Sequence, residues 1–258
     1  MIPKIIHCCL FSNDPIPEKL QSYMNSWKEK LHDYEFMLWN FERFDINSSI
    51  WVKQAFEKKY AFAADLIRLY AVYNYGGIYL DMDIEVFKPF NNLLDSDIMM
   101  GYENDHTKKV EAGCFGAVKK HKFIRQCLDY YHEREFIKTD GFYDTLPLPN
   151  IIADIYKSGC FEDIIVYPSD YFTANSFQTG EIKITKNTYC IHHFAGSWLP
   201  PVNKRKIERR YKIYSILGES IFTKSFVNII YVFKHIYEDG LFKTIKLYLK
   251  IIKMKNRA

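Results

Sequence analysis

Tyr60-Ala-Phe-Ala-Ala-Asp65-Leu-Ile-Arg68-Leu-Tyr-Ala-Val-Tyr-Asn-Tyr-Gly76-Gly77-Ile-Tyr79-Leu-Asp81-Met-Asp83-Ile-Glu85-Val-Phe-Lys-Pro89 decides the fold of this chain. Its first half is apolar over a run too long for one strand, which predicts a buried helix. Gly76-Gly77 ends that helix, because glycine takes the left-handed backbone conformation that a helix end often needs. Ile78-Tyr79-Leu80 then predicts a short buried strand that delivers Asp81 and Asp83 at its end.

Asp65 and Arg68 are the only charges between Ala61 and Tyr73. Three residues apart on a helix, they point to one side, and lone charges in an apolar helix are costly unless paired or bound. They read either as a buried structural ion pair or as part of a site. Asp81 and Asp83, at positions i and i+2 of an extended segment, face the same way. Two such carboxylates repel unless a cation lies between them, and hard oxygen ligands suit magnesium or manganese. On the bare motif, a solvated turn is the other reading.

With its strand and charged helix, this segment resembles the core of sugar-nucleotide glycosyltransferases carrying the DXD signature. More closely it resembles glycosyltransferase family 32, the capsular-polysaccharide and yeast outer-chain mannosyltransferase type. The catalytic domain of the clostridial glucosylating toxins is a more distant likeness. These share an Asp-x-x-Arg helix, a Gly-Gly turn and a Tyr-x-Asp-x-Asp strand in this order. The resemblance implies a GT-A-type fold, a Rossmann-like mixed α/β sheet flanked by helices, over about residues 1–200. It implies a retaining hexosyl transfer from a nucleoside-diphosphate sugar, a UDP-sugar ahead of a GDP-sugar. The acceptor would be a glycan or lipid-linked hydroxyl, in capsular or surface polysaccharide synthesis, with Mn2+ or Mg2+ as the cation.

The same resemblance assigns residues. Asp81, Asp83 and His192 would hold the metal, with His193 as the alternative, since neighbours in an extended segment face opposite sides. Asp65 and Arg68 would contact the donor, as would Tyr79. Relatives stack a Trp on the base where this chain has Leu10, and cover the pyrophosphate with a Ser-Trp pair, here Ser197 and Trp198. They place an amide or hydroxyl against the donor sugar near Asn150; Asn150 reads equally as the N-cap of a helix over Ile151–Lys157.

Strand, helix and strand over Ile2–Leu10, Glu18–Leu31 and Tyr34–Asn40 imply parallel pairing, with ligands beyond the carboxyl ends of strands. His7 reads as a hydrogen-bonded core residue. Further strands are expected over Ile98–Glu103 and Glu111–Val118, and a helix over His121–Tyr131. Gly141–Asn150, with Pro147 and Pro149, reads as a loop.

The chain has 258 residues, aromatic content of 17% and a net charge of +4. That composition argues against disorder and allows one sizeable core. No signal peptide and no spanning run of about 18 apolar residues is read. The six cysteines have no CxxC spacing and read as reduced thiols of a cytoplasmic protein. From Pro201 on there are fourteen Lys/Arg against four Asp/Glu, so residues 201–258 carry +10 and the first 200 carry −6. Residues 201–258 thus read as a basic helical extension, with amphipathic helices over Phe226–Tyr237 and Leu241–Met254. Such helices can lie peripherally on the anionic inner face of a cell membrane, pack on the catalytic domain or form a dimer contact. Nucleic acid is not an expected partner. A haloacid-dehalogenase-type phosphatase also begins with a strand and Asp-x-Asp, but Glu85 stands where that family usually wants Thr or Val. A non-catalytic membrane-associated partner protein is the third reading.

Overall fold

Alternating burial sets up the first strand of the computed structural model: Ile6 and Cys8 of β1 (Ile5–Cys9) enter one apolar layer, while His7 and Cys9 turn to the other side. The structure describes residues 1–12, 14–56, 59–158, 161, 163–196, 199, 201–218 and 220–239. The expected helix over Leu241–Met254 lies outside them. Next come α1 (Glu18–Lys30), β2 (Glu35–Trp39), α2 (Ile50–Phe56), α3 (Tyr60–Tyr75), β3 (Gly77–Leu80) and β4 (Ile84–Val86). The order continues with β5 (Ile98–Asn104), β6 (Lys109–Val110), β7 (Cys114–Ala117), α4 (Lys122–Asp129), α5 (Leu148–Lys157) and β8 (Val166–Tyr167). Then follow α6 (Ser169–Phe172), β9 (Cys190–His192), α7 (Pro201–Leu217) and α8 (Ile221–Asp239).

The main sheet has the order β2-β1-β3-β7-β5-β6, with β8 beside β5. β1 pairs in parallel with β2 and β3, as the strand–helix–strand rhythm implied. β7 runs antiparallel to both β3 and β5, which makes the sheet mixed. The α2, α3, α4 and α5 helices pack over one face around Trp51, Ile67, Tyr79 and Phe115; Trp27 of α1, Ile78, Leu80 and Phe172 fill the other. β4 leaves the main sheet and pairs antiparallel with β9. α1 holds β4 there: the Trp27 indole N–H donates to the Ile84 carbonyl (2.7 Å), and the Val86 amide donates to Ser26 Oγ (2.9 Å).

The turn from α3 into β3 is a tight joint. Gly76 and Gly77 have φ of +70° and +103°, in the region that favours glycine. A Cβ on Gly77 would meet the Ile5 carbonyl oxygen at 2.5 Å, so β3 could not approach β1 with any side chain there. His7 locks the joint from below. Trp39 Nε1 donates to its Nδ1 (3.1 Å), which leaves Nε2–H to donate to the Gly76 carbonyl (2.7 Å). Burial lowers its pKa and keeps the ring neutral.

Two expectations are corrected. Asp81-Met82-Asp83 is a turn rather than an extended continuation of β3, closed by the Ile84 amide on the Asp81 carbonyl at 3.0 Å. And α5 begins at Leu148, inside the segment read as a loop, with Pro147 at its N-cap. Pro149 lies in the first turn, where proline has no helical amide bond to lose. Asn150 is therefore not the N-cap; it is the third residue of the helix.

The chain divides into two units. The first is Met1–Ser176 with Ile182–Trp198 and holds the sheet; the second is Phe177–Glu181 with the residues from Leu199 on. In the second unit Arg210 Nη2 and the Tyr211 hydroxyl both donate to the Phe177 carbonyl, at 2.6 and 3.2 Å.

Gly77→Ala is expected to destabilise the chain by about 3 kcal/mol through backbone strain and the clash with Ile5. Urea unfolding followed by circular dichroism measures this, and an unchanged midpoint would remove Gly77 from the account of the joint.

Candidate active site

Four carboxylates converge where α3, β3, β4, β7 and β9 meet. Asp65 projects from α3, Asp81 and Asp83 lie on the turn after β3, and Glu111 precedes β7. So many acids require cations, and two side chains supply them.

Arg68 is the first. Its side chain is only 9% exposed. Nη2 lies 3.3 Å from Asp65 Oδ1, and Nη1 donates to Asp81 Oδ2 at 3.3 Å and to the Ala112 carbonyl at 2.8 Å. The guanidinium also sits over the Tyr79 ring, 4.7 Å from its centre. Burial works against its charge, but Asp81, Tyr79 and Asp65 outweigh that and hold its pKa well above the usual value. Asp65 and Arg68 are thus a buried ion pair, and Arg68 also reaches the first acid of the Asp-x-Asp motif. Burial raises Asp65 to a pKa of about 6, against the opposing pull of Arg68 and of the Leu148 amide at the start of α5. The Tyr79 hydroxyl donates to Asp81 Oδ1 at 2.7 Å, which fixes that carboxylate from the strand side.

His192 is the second. Its Nδ1 lies 3.0 Å from both Glu111 oxygens, and its Nε2 lies 3.4 Å from Asp83 Oδ1. Burial lowers its pKa, but Glu111 and Asp83 outweigh that and hold it well above the ordinary imidazole value. Burial likewise opposes the charges of Asp83 and Glu111. His192 and the Ala195 amide keep Asp83 at about 2, and His192, the Gly113 amide and the Thr173 hydroxyl keep Glu111 below its usual range. The Ala195 amide donates to Asp83 Oδ2 at 2.7 Å.

Asp81, Asp83 and His192 each offer a ligand atom, and these atoms lie within 4.8 Å of one another. Two carboxylates and an imidazole fit manganese or magnesium. With Nδ1 donating to Glu111, Nε2 is the nitrogen left to face a cation. Space is reserved for this: a Cβ on Gly113 would lie 2.8 Å from His192 Cε1 and 3.0 Å from Asp81 Oδ2.

Of the other expected site residues, His193 turns away: its Nε2 is 2.7 Å from Glu85 Oε2, and its ring stacks on Tyr23 at 4.1 Å. Leu10 sits half-buried just past β1, its amide donating to the Trp39 carbonyl (2.9 Å); the stacked pair nearby is Phe11 on Phe41, at 4.4 Å. Asn150 is exposed in the first turn of α5, two residues from the Leu148 amide that reaches Asp65. Ser197 and Trp198 lie outside the described residues. Sequence reading missed Glu111 and Thr173 as site residues. Glu111 had one signal: it is the sole charge opening the apolar, small-residue run Ala112-Gly113-Cys114-Phe115-Gly116-Ala117.

Residues 17–100 match the family described as glycosyltransferase sugar-binding region containing DXD motif. Inositol phosphoceramide mannosyltransferase 1 of Schizosaccharomyces pombe is 31% identical over 156 residues, 53% of this chain and 46% of that protein. Inositol phosphoceramide mannosyltransferase 3 of the same yeast is 30% identical over 131 residues, 48% of this chain and 36% of that protein. The chain thus spans less than half the length of these relatives. Among solved structures, a galactosyltransferase in complex with donor and acceptor sugar analogues aligns with 84% of this chain and 97% of its own, at 14% identity and a TM-score of 0.45. Residues 17–100 thus match the model of that DXD-containing region, and about half of this chain is similar to the two relatives.

Glu111→Gln keeps the size of the side chain but removes the charge that fixes His192. It is expected to weaken Mn2+ binding about 10–100-fold, as loss of an outer-shell partner does. Titration calorimetry with Mn2+ alone reads this; unchanged affinity would make Glu111 a packing residue only.

Proposed function

Because residues 17–100 match the sugar-binding region of the DXD glycosyltransferases, we propose that this chain transfers a hexosyl group from a nucleoside-diphosphate sugar to a hydroxyl acceptor, with a divalent cation held by Asp81, Asp83 and His192. The observation that carries this is the convergence of those three side chains over the bare backbone of Gly113. A Mn2+ or Mg2+ ion bound there would supply Lewis-acid stabilisation of the diphosphate leaving group.

The chain's own residues do the positioning. Tyr79 and Arg68 fix the two oxygens of Asp81, and the Ala195 amide fixes Asp83, so neither carboxylate must reorganise when the donor arrives. Glu111 holds the His192 ring in one orientation. Arg68 places a permanent positive charge beside Asp81, which tempers the acidity of the site toward an incoming diphosphate. Asp65, oriented by Arg68 and the Leu148 amide, has carboxylate lone pairs to accept from donor hydroxyls. Phe11 and Phe41 present aromatic surface beyond β1 and β2, where a nucleobase can lie.

Both relatives are mannosyltransferases by name, so a mannosyl donor belongs among the candidates beside the UDP-sugars that the family 32 resemblance favours. A glycan or lipid-linked acceptor in surface polysaccharide synthesis, and retention of the anomeric configuration, rest on the same resemblance. The phosphatase reading gains nothing from the site, where Asp83 is bound by His192 and the Ala195 amide.

Asp83→Ala is expected to reduce nucleotide release by at least about 100-fold while leaving the circular dichroism spectrum intact. A panel of UDP- and GDP-sugars with Mn2+ reads this, and wild-type turnover by the variant would overturn the mechanism. Asp65 accepts hydrogen bonds best when ionised, and that form is lost as pH falls through about 6. Donor KM is therefore expected to rise below that pH in the wild type, and Asp65→Asn to lose that pH dependence. Identical KM profiles for the two would detach Asp65 from the donor.

A further inference from the structure

The second unit carries a surface that the proposed reaction does not use. α8 packs one side inward, where Thr223 and Val227 are buried. A neighbouring side stays apolar and faces outward: Phe222, Phe226, Ile229, Phe233 and Tyr237 recur at helical spacing along one stripe. Phe222 is 87% exposed, Phe233 67% and Tyr237 92%. A helix that has already buried one face has no packing reason to show a second row of aromatic residues to water. Beside the stripe, α7 and α8 enclose a groove of about 320 Å³. Its floor is Ile213, Ile216, Val227 and Ile230, and Arg209 and Lys212 stand on its rim. Arg205 lies on the same side of α7, one turn before Arg209, and is exposed.

We propose that this face of α7 and α8 is a docking surface for an anionic phospholipid bilayer. Apolar rings beside a row of cations match the interface of such a membrane, where aromatic side chains enter at headgroup depth and Lys and Arg meet lipid phosphates. The groove, apolar below and basic at its lip, suits an acyl chain beneath an anionic headgroup. Among the described residues no helix is long and apolar enough to cross a membrane, so α8 would lie in the plane of the surface. The charge balance agrees: +10 over residues 201–258 against −6 before them makes the attraction local to this unit.

The test is sedimentation of the full chain with vesicles of phosphatidylcholine alone and of phosphatidylcholine mixed with phosphatidylglycerol. The chain is expected to pellet with the anionic vesicles and not with the neutral ones, less so as salt rises. The triple variant R205E, R209E and K212E is expected to lose binding on the order of 100-fold. The double variant F222S and F233S is expected to lose on the order of tenfold at every salt concentration. Both should retain helix content and nucleotide release, so a failure here is distinct from a failure of the proposed transfer. A wild-type chain that stays in the supernatant overturns the proposal, as does charge reversal without effect. Gel filtration supplies the other overturning result: a dimer that F222S and F233S dissolve would show that a second copy covers this face.

Discussion

A buried guanidinium shared between two carboxylates is the constraint on which this structure depends. Arg68 reaches Asp65 on its own helix and Asp81 on the turn after β3, and rests on Tyr79 between them. Without it, α3 would carry an uncompensated acid into the core, and β3 would end on another. An unpaired charge at such burial is among the more costly things a fold can contain. The arrangement therefore couples packing to chemistry: the contact that lets α3 lie on the sheet also orients the first acid of the motif.

The second cationic group works differently. Arg68 keeps its charge at every physiological pH, whereas His192 holds a proton because Glu111 and Asp83 surround it. In the chain by itself that proton balances two carboxylates. A divalent ion can take over the same balancing role, with Nε2 changing from donor to ligand. Either occupant would balance the acid-rich centre, with Glu111 still available to hold Nδ1.

The sequence made the centre of the fold legible because local rules governed it. An apolar run, a glycine pair and a short strand have few solutions, and α3 and β3 follow them. The Asp-x-Asp pair was legible in identity but not in shape, since a turn rather than a pleat brings the two together, and turn closure depends on the Ile84 amide. The choice of His192 over His193 needed the register of β4 with β9, which no periodicity encodes. Glu111 stayed hidden because its partners lie 62 residues away at Thr173 and 81 away at His192. The start of α5 was obscured by two prolines whose usual meaning, a loop, inverts in the first turn of a helix.

The pairing of β4 with β9 has a mechanical consequence. It sets Ile84 opposite His192, so residues 109 apart in sequence, Asp83 and His192, meet across a strip only three residues long on each strand. That strip alone is a weak clasp. An ion gripped from both sides would act as a rivet, closing a long loop much as a disulfide does but without covalent chemistry. Loading the centre and tightening the segment that follows β9 would then be one event, and the availability of the ion would govern how firmly that end of the domain is closed.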